Sequence, residues 1–190
     1  MVHNETVNVW THLVGALMAA VMIFVAQYTL TEGDVSRIPL LLHIGATTLG
    51  LSLSSTFHLL SCTSEGDFKF FQKLDYVGIL TIASGTIISP LHYGFICEQH
   101  KFWRYLWISS AVTGCGFAAI TTMSQQRPIP WVNGLAWFCA GIMGCPGFIQ
   151  LGIDKHTNQF FLLTPWLIGF TFIASGMAIY ALRVPERFCP

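Results

Sequence analysis

Ser54 and His58 are four residues apart near the end of one long apolar segment, and Asp75 stands just ahead of the next. Residues at i and i+4 lie one turn apart on a helix. If both segments span a bilayer, the end of one and the start of the next share a membrane face. The hydroxyl, the imidazole and the carboxylate can then converge. Ionisable groups at such a boundary are costly, and their default reading is functional. Three chemistries suit the set. His58 could bind zinc, with Ser54 and Asp75 orienting a metal-bound water. The three side chains could form a hydrogen-bonded cluster that pins the helices together. A Ser–His–Asp triad is the third, though a serine on a helix is a poorly exposed nucleophile with no evident oxyanion hole.

The elements that must position these groups are apolar segments. The chain has 190 residues, 53% of them hydrophobic and 9% charged, against roughly 25% charged in soluble domains. The composition predicts an all-α, multi-pass transmembrane bundle in a lipid bilayer. Six segments approach or exceed the roughly 20 residues that a spanning helix needs. They fall at about 9–30, 38–61, 76–96, 105–123, 131–152 and 160–182. Short connectors join them, so consecutive helices should be antiparallel and the chain one domain over 1–190. No segment alternates in polarity as a barrel strand would. The connector 65–73 mixes Phe with Lys and Asp, and reads either as an interfacial helix or as a loop with anchoring aromatics.

Nine basic and nine acidic residues cancel, which gives no surface for nucleic acid. The six cysteines show no C-x-x-C spacing, so neither a zinc ribbon nor a disulfide framework is expected. With the N-terminus inside, five Lys/Arg face the cytoplasm and four face away, a difference too small to orient the chain. Asn4-Glu5-Thr6 is a glycosylation sequon, used only if the N-terminus is lumenal. Pro90, Pro146 and Pro165 interrupt apolar segments, where each removes a backbone donor. The glycines within the segments are read as allowing close helix contact.

Alternation of the helices places Asn8, Thr11 and His12 on the same face as Ser54, His58 and Asp75, together with Arg183, Glu186 and Arg187. His12 is expected to hydrogen-bond to the bundle, with metal ligation as its alternative. His43 and His92 fall toward the opposite face, and His3, His100 and His156 fall in loops or at the terminus.

Four stretches carry a resemblance. They are Glu5-Thr-Val-Asn-Val-Trp-Thr-His12, Leu51-Ser-Leu-Ser-Ser-Thr-Phe-His58, Lys73-Leu-Asp-Tyr-Val-Gly78 and Tyr180-Ala-Leu-Arg-Val-Pro-Glu-Arg-Phe188. In this order they resemble the progestin and adipoQ receptor family, the adiponectin-receptor-like proteins related to haemolysin III. The resemblance implies a seven-helix membrane protein with a cytoplasmic N-terminus, in the plasma membrane or another cellular membrane. It implies receptor signalling in lipid or metabolic regulation, with a lipid or protein ligand. The alternative it carries is a zinc-dependent, ceramidase-like lipid amide hydrolase. By match to the family pattern, His58 would be a zinc ligand, and Ser54 and Asp75 would lie near the zinc-bound water.

One departure bears on zinc. The family's two other histidine ligands lie in a seventh helix, in a Ser-His-Gln-x-x-His motif after the Pro-Glu-Arg-Phe stretch. This sequence reaches Cys189-Pro190 without that motif. Six helices of an expected seven and one of three histidines are therefore present. The expectation is a fragment or a six-helix variant that binds zinc weakly or not at all.

Overall fold

The computed structural model describes residues 5–29, 36–126, 129–154, 163–182 and 184. Among them are six α-helices and no strand. They are α1 (Thr6–Thr29), α2 (Ile38–Leu60), α3 (Glu65–Gly94), α4 (Lys101–Ser124), α5 (Pro130–Ile153) and α6 (Leu163–Leu182), with one 3-10 turn at Glu98–His100 before α4. Five of the helices, α1 to α5, are long and apolar enough to cross a membrane. The fold is a multi-pass helical membrane bundle.

Helix α3 begins well before the apolar stretch at 76–96. Ser64 caps it by accepting from the Asp67 backbone N–H at 3.0 Å, and the Asp67 carboxylate accepts from Ser64 and Thr63 in return. Glu65 and Asp67 also place negative charge at the positive end of the helix. The connector 65–73 is thus the first turns of α3, and Phe68 packs edge-on against Phe57 of α2. At 30 residues the helix is about 45 Å long, longer than the roughly 30 Å hydrocarbon layer. Its charged first turns project beyond that layer.

The helices pack in chain order: α1 on α2, α2 on α3, α3 on α4 and α4 on α5, with α5 also reaching α3. Glycine sets the closest approaches. A Cβ on Gly78 would lie 3.0 Å from the Gly50 carbonyl oxygen, and one on Gly85 would lie 2.9 Å from the His43 ring. Residues 50 and 78, then 43 and 85, therefore run antiparallel at van der Waals distance. The same register brings Ser54 level with Asp75. Helix α5 runs parallel to α3, with Gly144 against Ile87 and Gly147 against Leu91.

Two apolar clusters fill the inside. Leu80, Cys115, Ala118, Ala136 and Ala140 form one, between α3, α4 and α5. Leu91, Phe95, Phe148 and Leu151 form the other, toward the far end of α3. Helix α6 meets this second cluster through Trp166, which stacks on Phe148 at 4.0 Å. Val14, Leu17, Met18, Val21 and Phe24 of α1 face outward, as suits a lipid-facing surface.

Candidate functional site

The start of α1, the end of α2 and Asp75 of α3 meet at one end of the bundle. Ser54 and Asp75 are buried there, at 8% and 9% exposure. Ser54 pairs with His12 of α1, whose Nδ1 lies 2.8 Å from the serine Oγ. His58, one turn further along α2, instead places its Nδ1 2.9 Å from Glu5 Oε2. The same Glu5 oxygen accepts from Asn8 Nδ2 at 2.6 Å. The two imidazoles stand edge to face, 5.5 Å between centroids. Ser55 Oγ donates to the Val9 carbonyl at 3.0 Å and ties the same helices together.

Asp75 completes the cluster from the α3 side. Its charge acts on the His12 ring. Its Oδ1 is buried and has no hydrogen-bond partner among the described residues. A buried acceptor left without a donor forfeits roughly 1–3 kcal/mol. A membrane protein keeps such a group where it serves something other than packing.

The site therefore gathers Ser54, His58, Asp75, His12 and Asn8, all placed on this face by sequence. Thr11 does not join them, because its hydroxyl bonds back to carbonyls of its own helix. Arg183, Glu186 and Arg187 lie outside the described residues. His43 is remote, with its Nδ1 buried against Gly85, and His92 lies in the last turn of α3. Glu5 and Ser55 are the members that sequence reasoning passes over. A signal existed for Glu5, since positions 5, 8 and 12 form one stripe of a helix.

The arrangement bears on each chemistry. In the triad reading, the serine's imidazole partner is His12 of the neighbouring helix, and the hydroxyl is closed in by three helices. For zinc, about four ligands are needed. Among the described residues, no three His, Cys, Asp or Glu side chains converge to hold a metal ion. His58 Nδ1 is bonded to Glu5, which leaves Nε2 as its one nitrogen able to ligate, and the Ser54 hydroxyl is bonded to His12. This donor set alone is too small to fit zinc. What the cluster can do is present a buried carboxylate oxygen and two imidazoles to an incoming polar group.

Comparison with known proteins agrees along the chain. A model of haemolysin-III-related proteins matches residues 1–190. Progestin and adipoQ receptor-like protein 1 of Caenorhabditis elegans is 32% identical over 201 residues, covering 99% of this chain and 45% of that protein. Adiponectin receptor protein of Drosophila melanogaster is 33% identical over 204 residues, covering 100% of this chain and 44% of that one. Heptahelical transmembrane protein 1 of Arabidopsis thaliana is 29% identical over 203 residues, covering 99% of this chain and 60% of its own length. The chain spans less than two thirds of the length of each of these relatives.

Proposed function

Since the chain belongs to the haemolysin-III-related family, we propose that it is an adiponectin-receptor-like signalling protein acting in lipid or metabolic regulation. One observation carries the reading. Polar side chains from three helices are buried at one end of the bundle, and the Asp75 Oδ1 among them has no hydrogen-bond partner among the described residues. A ligand that offers a donor to that oxygen gains a hydrogen bond that no described residue supplies. Binding there can shift the α1–α2–α3 contacts by the difference in affinity between two arrangements.

A cytoplasmic N-terminus, as the resemblance implies, would set the polar cluster at the cytoplasmic boundary. Asn4 then stays unglycosylated when the chain is expressed in a eukaryotic cell. Endoglycosidase-sensitive sugar at Asn4 would put the cluster on the other side. Zinc remains the cofactor expected of the family, with His58 as one ligand and Ser54 and Asp75 beside it. Further histidine donors are needed to complete such a site.

Adiponectin, the ligand in the name of the fly relative, is the first probe. Membranes carrying the full chain are expected to bind labelled adiponectin saturably, and the binding to weaken in Asp75→Asn. Inserted, folded protein without saturable binding removes the adiponectin reading. Fatty-acid release from ceramide that His58→Ala abolishes would move the protein to the lipid amide hydrolases.

A further inference from the structure

The geometry points to Glu5 as a positioning residue for His58. Its carboxylate keeps the ring proton on Nδ1 and leaves Nε2 as the nitrogen with a free lone pair. This deepens the reading of His58 as part of the site and rests on it. No role for Glu5 follows from the chemistry assigned to Ser54, His58 and Asp75.

A carboxylate only accepts. With Glu5 Oε2 2.9 Å from His58 Nδ1, the hydrogen between them belongs to the ring nitrogen. Which nitrogen of an imidazole is protonated is set by the bond that the other makes. A neutral His58 is therefore held as the Nδ1–H tautomer.

Glu5 is itself fixed. It sits directly before α1, its backbone carbonyl accepts from the Val9 N–H at 3.0 Å, and Asn8 Nδ2 grips its carboxylate. A carboxylate at a helix N-terminus is further favoured by the aligned peptide dipoles. The pairing does not serve mainly to dock α1. Ser55 to the Val9 carbonyl and His12 to Ser54 already join the two helices, and Gly15 lets α1 approach Leu51 closely. Removing the Glu5 carboxylate leaves these contacts in place. Glu5, at the start of α1, thus controls which atom of His58 is offered.

The test reads the tautomer directly. The full chain, labelled with 15N-histidine and embedded in phospholipid nanodiscs, is examined by solid-state NMR. The His58 signals are identified by their loss in His58→Asn. The wild type is expected to show a protonated Nδ1 and a bare Nε2. Glu5→Ala is expected to move most of the population to Nε2–H, and Glu5→Gln, which keeps an acceptor oxygen, to retain Nδ1–H. A wild-type ring with bare Nδ1 overturns the proposal. So does a Glu5→Ala protein that melts lower with its tautomer unchanged, since Glu5 would then be only a tether. If Glu5→Ala fails to insert, Asn8→Ala is read in the same way, with a partial shift expected. None of these outcomes depends on adiponectin binding, so the tautomer and the receptor reading stand or fall separately.

Discussion

The two ends of the bundle solve opposite problems with similar helices. At the far end of α3, Leu91 and Phe95 are wholly buried, Gly147 of α5 lies against Leu91, and Phe148 carries the Trp166 ring. Two polar groups of α4 find partners there, although His43 Nδ1 of α2 has none among the described residues. Trp107 Nε1 donates to Gln150 Oε1 at 2.6 Å, and Arg104 donates to the Ile96 carbonyl at 3.1 Å. At the near end Ser54, Asp75, His12 and His58 gather, and a carboxylate oxygen has no hydrogen-bond partner among the described residues. One end is packed for stability. The other holds groups that packing alone would discard. Substitutions should therefore separate the ends, with large losses of stability at the first and small ones at the second.

Leu91→Ala is expected to give the largest effect. The side chain is fully buried between α3 and α5, and truncation costs about 2–5 kcal/mol when the cavity does not close. Thermal unfolding in detergent reads it as a clear fall in melting temperature. A change under about 1 kcal/mol would mean that this end is loosely packed and would dissolve the contrast.

Gly50→Ala comes next and bears on both ends, because Gly50 lies at the middle of the α2–α3 contact. An added Cβ would come 2.7 Å from the Gly78 carbonyl oxygen and 2.6 Å from Ile82. The backbones must part, at a cost of about 1–3 kcal/mol for overpacking. Parting them also moves Ser54 away from Asp75, so the variant should lose ligand binding along with stability. Retained binding would show that the α2–α3 spacing does not set the site.

Much of this was legible in the sequence. The lengths of the apolar segments and the alternation of helices alone put Ser54, His58, Asp75, Asn8 and His12 at one end. The pairings were not legible. Spacing on α2 suggests Ser54 with His58, yet Ser54 bonds to His12 and His58 bonds to Glu5. The α1–α2 register decides this, through contacts such as Gly15 on Leu51 that no local pattern encodes. The early start of α3 was written at Ser64-Glu-Gly-Asp67, a capping signature that a search for apolar runs steps over.

Asp75→Asn should behave unlike either large variant. It removes a buried charge and keeps the shape of the side chain. Breaking a satisfied buried pair would cost several kcal/mol, but Asp75 Oδ1 has no hydrogen-bond donor among the described residues to lose. Stability is expected to fall by no more than about 1 kcal/mol, against the larger loss at Leu91. Binding should weaken even so, because the acceptor offered to a ligand has lost its charge. A large drop in melting temperature would instead make Asp75 a structural pin.

The smallest effects come from a matched pair of hydroxyls near the polar end, and they show what its tethers are worth. Ser55 donates across to the Val9 carbonyl of α1, while Thr11 donates back to Val7 and Asn8 of its own helix. Hydrogen bonds between membrane helices average about 0.6 kcal/mol, so Ser55→Ala should lower stability by about that much. Thr11→Val keeps the volume and removes a bond that joins no two helices, so its change should lie within about 0.5 kcal/mol of zero. Double-mutant cycles with Glu5→Ala test whether Glu5 belongs to these tethers. Removing the Glu5 carboxylate leaves the Ser55–Val9 bond in place, so both Ser55→Ala and Thr11→Val should add with Glu5→Ala. Non-additivity of Ser55→Ala with Glu5→Ala would mean that the two hold α1 as one clasp, and that Glu5 is a tether.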